Sequence, residues 1–297
     1  MADRTSTITA ALAGTIDVGG DLRVNRFGLG AMRITGEGIW GEPADREESK
    51  RVLRRALELG INFIDTADSY GPEVSERLIA ETLYPYPEDL VIATKGGLTR
   101  PGPGVWEPDG RPEHLRAACE GSLKRLRVDH IDVYQFHRPA PKVPFEESVG
   151  ALAELKGAGK IRPIGLSTVS VGQSEKAQKI TPIVSVQNRY SIFDRESEPV
   201  LDFCSLEELA FLPWRPVAGG ELGATGVVEE IARRNHATPA QVALAWLLAH
   251  SPVMLPIPGT SKVAHLEENL GAVALHLAPS DLAALDRAAP EPRGGGE

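Results

Sequence analysis

One pattern governs what this chain can fold into. Short apolar stretches alternate with helical stretches eight times, and no long polar linker interrupts them. The apolar stretches lie at 27–32, 62–65, 90–94, 131–136, 161–166, 183–186, 210–213 and 253–257. Between them the hydrophobic period lengthens. After Pro112, for example, Leu115, Ala118, Cys119, Ser122, Leu123 and Leu126 recur at helical spacing. Further helices are expected from Asp45 to a stop at Gly60, then at 73–83, 144–157, 172–179, 198–209, 225–235, 239–250, 262–271 and 280–288. Parallel strands joined by helices cross over right-handedly, so every strand's carboxyl end falls on one face. Eight such units in 297 residues predict one α/β domain, a closed (β/α)8 TIM barrel spanning 1–297. Ahead of it, 15–18 and 22–24 alternate around Gly19-Gly20-Asp21 as a hairpin. The Gly/Pro-rich tail, 290–297, reads as disordered.

Composition narrows the function classes. The chain is 42% hydrophobic and 25% charged, with a net charge of −9. Its Lys and Arg are scattered, so no basic nucleic-acid-binding face is expected. The longest apolar run, 242–249, is too short for a bilayer. The segment 8–14 is too short and too weakly apolar for a secretion signal. Cys119 and Cys204 sit within helical patterns, as reduced buried thiols of a cytoplasmic protein would. The seven histidines are dispersed and no metal site is expected. Gly28-x-Gly30 imitates part of a dinucleotide fingerprint, but Arg33 replaces its third glycine and no helix follows at once. Those glycines instead suit a close backbone approach.

Chemistry collects at the strand ends. The stretch 61–71 is an apolar strand that breaks at Asp65 and presents Tyr70 five residues later. Lys95 ends the third strand beside two glycines, and His137 ends the fourth. Asp65 alone reads equally well as a helix cap, and Tyr70 as a packing residue. Lys95 and His137 have no such role. Together the four suit proton delivery to a developing alkoxide. Lys95 beside the phenol would lower its pKa, and Asp65 would hold the lysine in place. Ser167, Thr168 and Gln187 can hydrogen-bond a carboxamide, and Trp214 offers a stacking face. Gly259-Thr260-Ser261-Lys262 opens a helix whose N–H groups, with Lys262, suit an anion or serve as an ordinary helix start.

These residues match a known family in order. The chain resembles the aldo-keto reductases at 64–71, 93–95, 122–126, 129–137, 165–167, 186–190 and 257–269. The resemblance implies NADPH-dependent carbonyl reduction, with the family's tetrad on Asp65, Tyr70, Lys95 and His137 and a hairpin closing the base of the barrel. It extends the cofactor contacts to Met32, Arg215, Pro216, Gly219, His265, Glu268 and Asn269. It also implies that the pro-R hydride is transferred. Segments 25–41, 84–90 and 258–269 look like a bacterial branch that includes pyridoxal reductases, which makes pyridoxal a candidate substrate.

Three positions depart from the family pattern. Thr168 stands where asparagine is usual, Arg215 follows Trp214 where serine is usual, and His265 replaces an arginine that often meets the 2′-phosphate. Lys262 offers compensation, so NADP(H) is expected ahead of NAD(H). Arg33, Trp40, Trp106 and Arg138, with Met32 and Ile34, occupy loop positions suited to a small carbonyl substrate. No nucleic-acid or membrane partner is expected, and the protein is expected to be a monomer or a weak homo-oligomer. Two other readings compete: a Schiff-base aldolase using Lys95, and a nucleotide-sensing subunit without turnover.

Overall fold

The computed structural model describes residues 8–217 and 226–288. Gly219 and the tail from Pro290 therefore lie outside the described residues. After a 3₁₀ turn at Ala10–Ala13 come β1 (Thr15–Val18) and β2 (Leu22–Asn25), an antiparallel hairpin. The barrel begins with β3 (Leu29–Gly30) and α1 (Arg46–Glu58), then β4 (Phe63–Asp65), α2 (Val74–Leu83) and β5 (Val91–Gly96). A second small hairpin, β6 (Leu98–Thr99) and β7 (Glu107–Pro108), precedes α3 (Pro112–Leu126). Then follow β8 (Val133–Phe136), α4 (Phe145–Gly157), β9 (Ile164–Ser167), α5 (Val171–Gln178), β10 (Ile183–Arg189), α6 (Glu198–Leu206) and β11 (Ala210–Trp214). The chain ends with α7 (Val227–Arg234), α8 (Pro239–His250), α9 (Val263–Leu270) and α10 (Pro279–Arg287).

Seven strands form one parallel sheet in the order β11-β10-β9-β8-β5-β4-β3. The expected eighth strand, 253–257, is where the structure departs from the pattern. It forms no continuous strand. It joins the two sheet edges through single parallel bridges, Phe211 to Met254 and Gly30 to Gly259. The reason lies in Pro256 and Pro258, which have no N–H to donate to a ladder. Their carbonyls still accept, from Gly28 at 2.9 Å and Gly30 at 3.3 Å. The barrel therefore closes at this seam: toward β3 the stretch only accepts, while toward β11 the Leu255 N–H donates to the Phe211 carbonyl at 2.9 Å and the Val253 carbonyl accepts from the Phe211 N–H at 2.9 Å.

Two apolar layers hold it. Inside, Val18, Leu22 and Val24 of the N-terminal hairpin pack with Phe63, Val91, Val133, Leu212 and Leu255. The hairpin thus plugs the end of the barrel opposite the strands' carboxyl ends. Outside, the helices cover the strands. Helix α8 is apolar on every side because it is enclosed: Val242 to Leu247 are all buried, and Trp246 stacks on Tyr190 with ring centres 6.0 Å apart. Each such side chain contributes about 1.5–3 kcal/mol on burial. Capping boxes start α5 at Ser170 and Gln173 and α8 at Thr238 and Gln241. Helix α6 stops three residues before the expected end at 209. The Cys119 and Cys204 thiols are buried, and burial pushes the pKa of each up to about 12, which leaves both inert. No helix among the described residues is long and apolar enough to cross a membrane.

Candidate active site

Strand ends β4, β5 and β8 place Asp65, Lys95 and His137, and the loop after β4 places Tyr70. Lys95 is fully buried, an expensive place for an ammonium unless every N–H is answered. All three are. Its Nζ donates to Asp65 Oδ2 at 2.6 Å, to the Thr66 carbonyl at 2.8 Å and to Tyr70 Oη at 3.2 Å. The other oxygen of Asp65, Oδ1, accepts from Gln135 and Gln187, each at 2.8 Å. Gln135 reaches that position because its lateral neighbour is Gly165, where a Cβ would stand 2.9 Å from the Gln135 Cγ.

The electrostatics follow from burial. Burial favours the neutral amine of Lys95, but Asp65 and Tyr70 together outweigh it, and the Lys95 pKa rises. Burial raises the Tyr70 pKa above its ordinary value, with Lys95 only partly opposing. The lysine does lower it, as expected, but burial is the larger effect and the net shift is upward. Burial lowers the His137 pKa well below the usual imidazole range, and the charges of Lys95 and Arg138 add to the effect. His137 is thus neutral at physiological pH. Its Nδ1 lies 3.3 Å from Ser69 Oγ, so Nε2 is the nitrogen left for a ligand.

These groups open onto a cavity of about 540 Å³ at the strands' carboxyl ends. Asp65, Tyr70 and His137 line it, as do Met32, Ser167, Thr168, Gln187, Trp214, Arg215, Pro216 and Gly259 from the expected cofactor set. Of the expected substrate set, Arg33, Trp106 and Arg138 line it and Trp40 does not. Trp40 instead bridges Gly71 and lies 5.4 Å from the Arg100 guanidinium. Thr260, Ser261, Lys262, His265, Glu268 and Asn269 stand outside the cavity wall, on the turn after Gly259 and along α9. The start of that helix is partly satisfied from within. The Lys262 N–H goes to Thr260 Oγ1 at 3.1 Å, and the Val263 N–H goes to Glu48 at 2.9 Å.

The wall fits a dinucleotide's nicotinamide end. Gln187 spends its Nε2 on Asp65 and Gln135, which leaves its Oε1 to accept from a carboxamide. Ser167 and Thr168 place two hydroxyls beside it, 3.4 Å apart. Trp214 is only partly covered, so its ring face is available. Gly30 and Gly259 leave bare backbone at the seam where a ligand can approach closely.

Sequence reasoning missed three supports. Gln135 was detectable as a polar residue inside an apolar strand, which needs a partner when buried. Ser69 sits in a stretch singled out for its neighbours. Arg100 gave no signal. It donates to the carbonyls of Ile39, Ser69 and Val105 and stacks 3.6 Å over Trp106, whose ring meets Tyr70 edge-on at 6.4 Å.

A buried Lys–Asp pair beneath a tyrosine and a neutral histidine, on a closed barrel with a plugged base, suits proton transfer at a carbonyl oxygen. The comparisons supply the family. The aldo/keto reductase family model matches residues 26–290. An uncharacterised oxidoreductase of Schizosaccharomyces pombe is 50% identical over 282 residues, which are 95% of this chain and 92% of that protein. Pyridoxine 4-dehydrogenase of Escherichia coli is 43% identical over 274 residues, 90% of this chain and 96% of the relative. An aldo-keto reductase of Klebsiella pneumoniae, solved with NADPH, superposes with a TM-score of 0.79 at 26% identity, covering 94% of this chain and 96% of that one. This chain belongs to the aldo/keto reductase family.

Proposed function

We propose that this protein reduces an aldehyde or ketone to an alcohol with NADPH, and that Tyr70 delivers the proton. The observation that carries the proposal is the Tyr70 hydroxyl, 3.2 Å from the buried Lys95 Nζ, at the wall of a cavity that His137 also lines. When bound, NADPH supplies the hydride that reaches the carbonyl carbon. The chain's own groups do the rest. His137 Nε2 donates to the carbonyl oxygen and orients it. The Tyr70 hydroxyl gives its proton to that oxygen as negative charge develops, and Lys95 stabilises the phenolate left behind. Asp65, held by Gln135 and Gln187, keeps the Lys95 ammonium aimed at the phenol.

The same reading assigns Ser167, Thr168 and Gln187 to the nicotinamide carboxamide and Trp214 to its ring face. Arg215, Thr260, Ser261, Lys262 and His265 fall to the phosphates, and Glu268 and Asn269 to the far end of the cofactor. Pyridoxal is the first substrate to try, because the Escherichia coli relative is named for pyridoxine oxidation.

A Schiff base on Lys95 fits less well. Its three N–H groups are all committed and it has no exposed surface. The deciding experiment follows NADPH oxidation against pyridoxal, 4-nitrobenzaldehyde, methylglyoxal and a simple ketone, with NADH in parallel. Oxidation driven by at least one carbonyl, faster with NADPH, is the expected result. A rate equal to the carbonyl-free blank for every compound overturns the reading.

A further inference from the structure

Three arginines, Arg33, Arg138 and Arg215, line the cavity without a hydrogen-bonding or ion-pairing partner among the described residues. The one carboxylate in the wall, Asp65, is already neutralised by Lys95 at 2.6 Å. The mouth of the barrel is therefore positive in a chain whose net charge is −9. A concave site lined by one sign of charge concentrates ligands of the other sign.

The three cations occupy different sides. Arg33 packs at the seam: a Cβ added at Gly259 would meet its Cγ at 3.4 Å. Arg215 directly follows β11, the strand that borders the seam. Arg138 directly follows His137 at the end of β8, which stands fourth in the order of seven strands. It is thus across the barrel from the seam. A dinucleotide lying along the seam, between Gly259 and Trp214, meets Arg33 and Arg215. Arg138 is left for the second ligand, next to the histidine that orients the reacting oxygen.

Two further observations single out Arg138. Its Nε is buried and has no hydrogen-bond partner, a donor that costs free energy until something accepts from it. Its charge also reaches the reaction site, where it helps hold His137 neutral. No described residue answers that guanidinium, and an anion is the ligand its fork is shaped for.

We infer that Arg138 forms a subsite for an anionic substituent on the carbonyl substrate, a carboxylate or a phosphate. This inference rests on the reductase reading and specifies the substrate class of that same site. Arg138 binds and orients the substituent and takes no part in the proton or hydride transfer.

Matched pairs of substrates test it: 4-carboxybenzaldehyde against its methyl ester, and glyceraldehyde 3-phosphate against glyceraldehyde. The expected result is a kcat/KM at least tenfold higher for the charged member of at least one pair, expressed mainly in KM and shrinking as salt is added. The pair that shows it identifies which anion is read. Arg138→Gln is expected to cut the charged-to-neutral ratio at least tenfold, and Arg138→Lys to keep part of it. Terephthalate, which cannot be reduced, gives a reading independent of turnover. Its quenching of tryptophan fluorescence in the NADP⁺-loaded protein should need at least tenfold more ligand in Arg138→Gln. Charged and neutral members within twofold of each other in the wild type overturn the inference, as does a ratio that survives Arg138→Gln. If no carbonyl of either pair or of the panel above consumes NADPH, the reductase reading falls and takes the inference with it, and if panel compounds are reduced but neither pair is, the inference alone falls. Turnover with equal ratios removes the subsite alone.

Discussion

The Lys95 ammonium stands 3.2 Å from the Tyr70 hydroxyl, yet the tyrosine holds its proton more tightly than a free one. Burial of the phenol is the larger effect. The lysine therefore does not hold a ready phenolate in the resting site. Its value comes when the proton leaves, because a phenolate formed beside a buried ammonium is far better stabilised than one formed alone. In the proposed mechanism Tyr70→Phe removes the group that gives that proton. Carbonyl reduction should fall about 10²–10⁴-fold, while NADPH binding, read by fluorescence titration, stays within about twofold. Wild-type turnover in this variant would sink the assignment of the acid.

Lys95 and Asp65 can be separated from Tyr70 by stability. Lys95→Met leaves a carboxylate buried without its counter-charge, which costs about 3–5 kcal/mol. Asp65→Asn in the same chain removes that charge and still accepts from Gln135 and Gln187. The double variant should therefore melt above the single Lys95→Met variant, yet remain as inactive. Thermal melting and an NADPH-oxidation assay check the two halves. A double variant less stable than the single would mean that the pair is not coupled as its 2.6 Å contact indicates.

His137 and Tyr70 titrate away from neutrality in opposite directions. Reduction needs the neutral imidazole and the protonated phenol, so kcat should be flat from about pH 6 to about pH 9. The histidine also leaves a stability signature. Its folded pKa lies below its unfolded value, so the unfolded chain takes up the proton first as pH falls. Wild type should lose melting temperature as pH drops from about 6.5 to about 5. His137→Gln, which cannot be protonated, should show a shallower slope over the same window.

Much of this site was legible in the sequence because its residues interrupt patterns. Asp65, Lys95 and His137 each end an apolar strand with a group that packing does not call for. The barrel was legible because the strand and helix periods alternate cleanly. What escaped were features set by tertiary contacts. The stretch 253–257 has the composition of a strand, but Pro256 and Pro258 leave it only acceptors toward β3 and single bridges in place of a ladder. Trp40 looked like a pocket residue by position, yet its contacts are Gly71 and the Arg100 guanidinium. Arg100 left no local trace, since its partners lie in three separate loops. The lowering of the Tyr70 pKa by Lys95 was legible, but not the burial that outweighs it, because the depth of that burial is not visible in its neighbours along the chain.

Asp68 sits in the same loop as Tyr70 and does something different. Burial and the nearby Glu76 push its pKa well above the carboxylate range, and its Oδ1 has no partner. Glu76 itself is answered by Thr94 and Arg125, each at 2.6 Å. A carboxyl with a raised folded pKa is favoured in the folded chain while protonated, and this advantage is lost as pH rises from the ordinary carboxylate range up through the raised folded pKa. Asp68→Asn carries no charge to bury. It should melt higher than wild type at pH 8, with the gap closing toward pH 5. A lower melting temperature at pH 8 would show that the Asp68 carboxylate is welcome in its pocket.

The seam makes the most local prediction. Gly30 and Gly259 face each other where the barrel closes. A Cβ at Gly30 would stand 2.6 Å from the Ile257 carbonyl oxygen, and one at Gly259 would stand 2.9 Å from the Gly30 carbonyl oxygen. Neither clash can be relieved by turning a side chain, because the obstacle is backbone. Gly30→Ala must therefore spread the seam or bend β3, at a cost of about 1–3 kcal/mol. The displacement also reaches the cavity, since Gly30 and Gly259 both line it. Denaturant unfolding should show the loss of stability, and fluorescence titration should show weaker NADPH binding than in wild type. Gly102→Ala, in open space at a loop, serves as the control and should change neither. An unchanged Gly30→Ala would mean that the two backbones do not approach as closely as the bridge between them requires.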